Sequence, residues 1–292
     1  MTEVRSAVLF VNLNKENSRE TAGEIRGELE SRGVRVTEFA FGGRPGIFPE
    51  GVWDVAFSLG GDGTVLYAAR QLAPAGAPIL PVQLGTLGFI ASVERREWLS
   101  VYEQWLRQEA RLSRRCMLEL AAEREQAVYS GTCLNDIVIS STGIAKLISL
   151  HLATEVTPGV YADLGSYRSD GLIVATPTGS TAYSMAAGGP ILDPEMEAQI
   201  ISPICPFTLS NRPLVLPSRQ ALVITVDNIQ RSGVLLTVDG QDTFELEPGD
   251  KITIRHSPHY ALLITADSSA YYSALKSKLA WGSGARAGGR NA

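Results

Sequence analysis

Histidine is scarce: His151, His256 and His259 are the only three in 292 residues, each in or beside a strand-like run of the second half, none next to a glycine-rich segment. A histidine base is disfavoured at those segments, no His/Cys metal cluster can be built at short spacing, and a carboxylate is the expected base. Cysteine is as sparse. Cys116, Cys133 and Cys205 are odd in number and far apart, which argues against a disulfide framework or a zinc site and leaves core packing as their expected role. No G-x-S-x-G elbow occurs, which disfavours a serine hydrolase. The apolar run AVLFV near the N-terminus is too short for a secretory core or a membrane span, so a cytoplasmic location is expected. Basic clusters are missing as well. Lys and Arg number 26 against 31 Asp and Glu, a net charge of -5, and their scatter forms no stripe to neutralise a phosphate backbone, so neither nucleic acid nor membrane is an expected partner.

What is present changes character along the chain. In the first hundred residues AVLFVNL, VRVTEFA, VWDVAFSL and APILPVQLG read as strands, separated by helical periodicity over residues 17–31, with Ala22, Ile25 and Leu29 inward and Gly33 as the stop, and over TVLYAARQLA, with Val65, Leu66, Ala69 and Leu72 on one stripe. Such alternation predicts parallel βαβ units with ligands at the carboxyl ends of the strands. A helix is expected over 94–110, with Trp98, Val101, Trp105 and Leu106 inward. From 112 to about 265 strand-like runs follow one another: CMLELAAE, AVYSGTCL, DIVIS, KLISLHLAT, GVYADLGSYR, LIVAT, LVLP, ALVITVD, GVLLTVDG, TFELE, KITIRHS and YALLITAD, with a hairpin turn at Asp239-Gly240. The expected architecture is an α/β domain at 1–110, a β-sandwich-like all-β domain at 111–267, a helix at 268–282 that includes Tyr271, Tyr272 and Trp281, and a flexible tail at 283–292.

Three segments carry chemistry. The first is SLGGDGT, where strand, glycine-rich turn and helix follow in order. Gly60, Gly61 and Gly63 let backbone approach a phosphate, and Asp62 and Thr64 sit at the helix start. Its spacing is neither G-x-G-x-x-G nor a P-loop. On spacing alone, Asp62 or Thr64 as a simple helix cap stands level with a phosphate site. The second is DGLIVATPTGSTAYSMAAGGP at 170–190, where Thr178, Ser180 and Thr181 place three hydroxyls before a small-residue helix at 182–187. One cap explains one hydroxyl; three favour ligand contact, with Tyr183 available to a base or ribose. The third, Asn135-Asp136, suits ribose hydroxyls or a carboxamide. By itself it reads as a turn before a strand.

Taken together, GGDG at 60–63, LGTLGF at 84–89, LND at 134–136, the 170–190 segment and PICPFTLSNRPLV at 203–215 resemble, in order and spacing, the NAD kinases, a family that shares its GGDG turn with diacylglycerol and sphingosine kinases. The resemblance spans about residues 55–265 and implies transfer of the γ-phosphoryl group of ATP, or of polyphosphate in some members, to the 2′-hydroxyl of the adenosine ribose of NAD, giving NADP. It implies a divalent metal (Mg or Mn) accompanying ATP, with ligands that no carboxylate cluster identifies, and a homodimer or homotetramer. It also implies the α/β plus all-β architecture, with the last helix returning to the first domain. On this chain the family pattern makes Asp62 the proton acceptor and puts Gly63, Asn135, Asp136, Lys146, Arg168, Asp170, Thr181, Ala182, Tyr183, Ser184, Met185, Ala186 and Gln241 at NAD contacts.

Two positions depart from that pattern: Gln83 stands where the family commonly has Asn, and Phe207 where it commonly has His. A lipid kinase sharing GGDG would lack the 170–190 segment and would show an apolar or basic membrane face. A sensor that binds NAD without transferring phosphate would not need Asp62.

Overall fold

The computed structural model describes residues 2–43, 45–86, 88–124, 127–144, 146–208, 210–265 and 270–279. The chain forms two compact units. One comprises the described residues up to Ala68, Ala77–Ser113 and those from Leu263 on; the other comprises Ala69–Gly76 and Arg114–Leu262.

In the first unit the elements run β1 (Ser6–Asn12), α1 (Ser18–Ser31), β2 (Arg35–Phe41), β3 (Val55–Gly60), α2 (Asp62–Leu72, whose residues from Ala69 on lie in the second unit), β4 (Ile79–Gln83), β5 (Val93–Glu94) and α3 (Trp98–Leu106). The sheet order is β2-β1-β3-β4, all parallel, with β5 beside β4. Its inner strands are apolar along their length because helices cover both faces of a parallel sheet, whereas β2, at the edge, alternates in exposure. Chain order reverses between β1 and β3, and in open α/β sheets ligands bind at the strand carboxyl ends beside such a reversal. Helix α1 ends where the residues dictate. Val34 N–H bonds Leu29 O at 3.0 Å and Gly33 N–H bonds Glu30 O at 2.9 Å, a closure that puts the C′ residue in left-handed backbone, met by Gly33 at φ +79. Trp98, Val101, Tyr102 and Trp105 of α3 join Phe57, Leu59 and Leu80 in the core. Each large apolar side chain fully buried there contributes roughly 1.5–3 kcal/mol.

The second unit is built of strands: β6 (Arg111–Arg124, whose first residues lie in the first unit), β7 (Ala127–Cys133), β8 (Asp136–Ser141), β9 (Ile148–Thr157), β10 (Val160–Ser169), β11 (Gly171–Ala175), β12 (Ala198–Ile204), β13 (Leu214–Pro217), β14 (Leu222–Val226), β15 (Val234–Val238), β16 (Asp242–Leu246) and β17 (Lys251–Thr265). A six-stranded antiparallel sheet has the order β13-β12-β11-β8-β15-β16. Strands β10, β9, β14 and the first half of β17 form a second antiparallel ladder. Side chains such as Ile137, Leu172 and Leu236 of the first and Leu150, Ile224 and Ile252 of the second share one core cluster. Between the strands one helical turn, α4 (Tyr183–Ala186), follows a 3-10 turn at Thr178–Thr181. Helix α5 (Ala270–Leu279) returns to the first unit, with Ala274 and Leu275 buried.

The two-part architecture expected from the pattern is present, with local differences. The helix expected over 94–110 is α3 alone, because Val93 and Glu94 pair with β4 and a 3-10 turn takes residues 95–97. KITIRHS and YALLITAD are one strand, β17, the backbone staying extended through Ser257-Pro258-His259. Strand β12 escapes the period-2 test, being buried along nearly all of its length. The helix expected at 182–187 is a single turn, because Ala182 breaks the backbone at ψ -132. The ends of the expected 268–282 helix, with Trp281, and the whole 283–292 tail lie outside the described residues. Among the described residues no helix is long and apolar enough to cross a membrane.

Candidate functional site

Strand β3 delivers the chain to its glycine turn at the carboxyl edge of the parallel sheet. Gly60 is required there by close packing: a Cβ on it would fall 2.1 Å from Thr64 Oγ1. Thr64 is buried and its hydroxyl accepts a hydrogen bond from Asn12 Nδ2 at 3.3 Å. Helix α2 starts at Asp62, earlier than the TVLYAARQLA periodicity suggests. The Asp62 carboxylate does not cap it. It turns to the segment after LGTLGF, where Oδ2 accepts Phe89 N–H at 3.0 Å and Oδ1 accepts Ile90 N–H at 3.1 Å and Ala91 N–H at 2.8 Å. The cap alternative is thereby removed for both residues.

An ionised carboxylate has about four acceptor positions. Three are taken, leaving one on Oδ2 of this half-buried group. Gly88 has no room for a side chain, since a Cβ would lie 1.9 Å from Asp62 Oδ1. Its N–H donates to Gln83 Oε1 at 2.9 Å. A cavity of about 650 Å³ in the same unit is lined by Lys15, Glu16, Asn17, Gln83, Leu84, Gly85, Glu94 and Arg95. Arg95 is committed to Glu24 at 2.7 Å and Glu20 at 3.1 Å. The Lys15 stem passes 4.0 Å from the point where a Cβ on Gly61 would sit. Lys278 of α5 places its ammonium 4.6 Å from the Phe89 ring centroid.

In the second unit a different carboxylate arranges Asn135 and Asp136. Asp239 accepts N–H bonds from Leu134 at 3.0 Å, Asn135 at 2.7 Å and Asp136 at 3.2 Å. It occupies left-handed backbone at φ +50 in the β15–β16 turn, a conformation that Asp tolerates better than most residues. Arg70 stands 3.9 Å from its Oδ2 and uses its other nitrogens on Asp242 Oδ2 at 2.6 Å and Gln241 Oε1 at 2.8 Å. Thr176 N–H donates to Asn135 O at 2.8 Å, and Gly179 lies so close that a Cβ there would meet Asn135 O at 2.1 Å. Asn135 Oδ1 is left buried without a partner. Burial, seconded by the charge of Asp239, pushes the Asp136 carboxyl up to about 7. Burial also raises Asp239, opposed by its N–H donors and by Arg70.

The 178–187 segment packs onto this base. Ser180 Oγ donates to Pro177 O at 2.6 Å and accepts Leu192 N–H at 3.1 Å, Thr181 Oγ1 donates to Thr178 O at 3.3 Å, and Ser184 bonds Ser202 at 3.0 Å. The hydroxyls of Ser180, Thr181 and Ser184 thus brace the turn, Thr178 Oγ1 is buried without a partner, and Tyr183 stands exposed with Ala182, Met185 and Ala186 around it. Lys146 and Arg168 lie elsewhere in the unit, lining a cavity of about 660 Å³ with Leu147, Ser149, Asp227, Asn228, Ile229 and Arg231. Asp170 is fixed by its backbone, which donates to Ile204 O at 3.0 Å and accepts from Ser141 N–H at 3.0 Å. Phe207 lies with its ring 5.2 Å under the Arg168 guanidinium, and its N–H bonds Arg168 O at 2.8 Å.

Sequence reasoning missed Arg70 and the holding role of Asp239. Arg70 carried no local signal, being one polar residue at the tail of a helix; Asp239 was visible only as a turn former. Among the described residues no three His, Cys, Asp or Glu side chains are grouped to hold a metal ion. Mg²⁺ commonly keeps phosphate oxygens and water as most of its ligands and takes few from protein.

Two family profiles match the chain: ATP-NAD kinase N-terminal domain over residues 48–110 and ATP-NAD kinase C-terminal domain over residues 134–266. The NAD kinase of Treponema denticola is 38% identical over 282 residues, covering 95% of this chain and 97% of that protein. That of Geobacter sulfurreducens is 38% identical over 288 residues, covering 96% and 99%. A solved structure of yeast NADH kinase complexed with NADH superposes with a TM-score of 0.86 at 25% identity, covering 99% of this chain and 91% of that one.

Proposed function

The chain belongs to the ATP-NAD kinase family and catalyses the ATP-dependent phosphorylation of NAD to NADP, and within that activity we propose that Asp62 accepts the proton of the attacking 2′-hydroxyl. The observation that carries the assignment is the Asp62 carboxylate, oriented by three backbone amides with one acceptor position left on Oδ2. The hydroxyl donates its proton there as its oxygen bonds to the γ-phosphorus; the bond from that phosphorus to the β,γ-bridging oxygen breaks, and ADP leaves with the electron pair. Phosphoryl transfer asks the protein mainly for positioning and charge stabilisation. Gly60, Gly61, Gly63 and Thr64 shape the turn that admits the phosphates.

Asn135 and Asp136 are the proposed reader of the dinucleotide, with Lys146, Arg168, Asp170, the 181–186 turn and Gln241 as its further contacts. Support comes from the unpartnered Asn135 Oδ1 and from the complex of the yeast relative with NADH. A divalent metal arriving with ATP would neutralise phosphate charge and would take its ligands mainly from phosphate oxygens and water. Polyphosphate as an alternative donor, a homodimer or homotetramer and a cytoplasmic location complete the reading.

The test is NADP formation by wild type and Asp62→Asn, with ATP and with polyphosphate, with and without EDTA. Wild-type turnover that Asp62→Asn abolishes supports the assignment, and a fully active variant overturns it. Mass measurement in solution decides the subunit count.

A further inference from the structure

We propose that Gln83 is a positioning residue for phosphoryl transfer, acting on Asp62 through the turn at residues 88–91. The inference rests on the reading of Asp62 as proton acceptor. Gln83 closes β4, is 6% exposed, and accepts Gly88 N–H on Oε1 at 2.9 Å. The next three amides, those of Phe89, Ile90 and Ala91, all donate to Asp62. One side chain holds the first amide of the turn and another holds the rest, so where Gln83 fixes the turn decides where the carboxylate sits. Gly88 leaves no slack between them, its missing Cβ falling 1.9 Å from Asp62 Oδ1.

The other end of the Gln83 amide gains nothing from this arrangement. Its Nε2 is buried without a partner, a state that costs stability and that an apolar residue of equal length would avoid. What glutamine supplies here is its acceptor oxygen, since an NH₂ group cannot accept the Gly88 proton. The departure from Asn at this position is thus a longer reach from the end of β4 to the turn.

The experiment compares Gln83→Met, close in length but without an acceptor, with Gln83→Asn, which keeps the acceptor on a shorter stem. Steady-state kinetics are read beside hydrogen exchange at the Gly88 amide. Gln83→Met is expected to lower kcat by on the order of tenfold to a hundredfold while both KM values stay within about threefold, because misplacement of a reacting group acts on the transition state. The Gly88 amide loses protection, and Gln83→Asn recovers part of kcat. Unchanged kcat in Gln83→Met, an effect confined to KM, or a Gly88 amide that stays protected overturns the proposal. If Gln83→Met does not fold, Gln83→Asn decides alone: an unprotected Gly88 amide with wild-type kcat overturns the proposal, and parallel losses support it. Full turnover by Asp62→Asn would defeat the proton-acceptor reading itself, a result distinct from Asp62-dependent turnover that ignores Gln83.

Discussion

Asp62 and Asp239 each accept three consecutive backbone N–H groups from a segment distant in sequence, residues 89–91 for the first and 134–136 for the second. The surroundings differ. Asp239 has a side chain with no exposure and Arg70 beside it, and that arginine is itself held by Gln241 and Asp242. Asp62 is half-buried, and no described cation pairs with it. The same set of hydrogen bonds therefore serves two ends. Sealed and beside a cation, it fixes a loop; half-buried with no described cation beside it, it leaves a carboxylate open to whatever enters. Accessibility and the neighbouring cation separate the acid proposed as proton acceptor from the one that fixes a loop, and the count of hydrogen bonds does not.

The strongest way to break that contrast is to neutralise both acids. Asp62→Asn cannot take a proton, and its NH₂ faces at least one of the 89–91 amides in place of an acceptor, so NADP turnover should fall by roughly 10²–10⁴-fold, the range for losing a general base, while stability falls by only about 1–3 kcal/mol for the amide left unpaired. Asp239→Ala should do the reverse. It strands three amides, withdraws the charge beside Arg70, which keeps Asp242 and Gln241, and places alanine at φ +50, so urea unfolding should report a loss of about 3–5 kcal/mol, the scale for several buried amides left unpaired. A stable Asp239→Ala protein, or a fully active Asp62→Asn one, would erase the distinction.

Gly88→Ala sharpens it on the Asp62 side. The added methyl collides with Oδ1 and must push carboxylate and turn apart, so turnover should drop by on the order of a hundredfold, the scale for an ångström of misplacement at a reacting group. NAD binding, measured by calorimetry, should hold. Loss of binding with unchanged turnover would mean that the turn serves the dinucleotide and not the acid.

How much of this could be read in advance varied with the range of the interaction. Parallel βαβ units followed by antiparallel strands could be read from periodicity, because burial of one face or both is written into consecutive residues. Strand β12 could not, since full burial removes the alternation and Pro203 and Ser202 dilute its β character. Asp62 stood out through its glycines, yet its partners at 89–91 lie almost thirty residues away and bond through backbone, which no side-chain pattern records. Arg70 and Asp239 are further apart still. Their pairing exists only once α2 and the β15–β16 turn have formed. The three hydroxyls of Thr178, Ser180 and Thr181 favoured ligand contact, and the sequence does not record that Ser180 and Thr181 also brace their own turn while Thr178 Oγ1 is buried without a partner.

Asp136 gives the finest test, because it lies beside the sealed acid and shares its burial. With its carboxyl pushed up to about 7 by desolvation first and the Asp239 charge second, the folded state holds a proton that the unfolded chain gives up near pH 4. Between those values the native state binds more protons than the unfolded one, so the contribution of Asp136 is fully present below about pH 4 and is lost as pH rises through about 7. Asp136→Asn carries no such charge. Its stability relative to wild type should therefore improve with pH across that window, by about 2–3 kcal/mol in urea unfolding at pH 8 compared with pH 5. A difference that stays flat with pH would place the Asp136 carboxylate in water-like surroundings and remove it from the cluster that Asp239 holds.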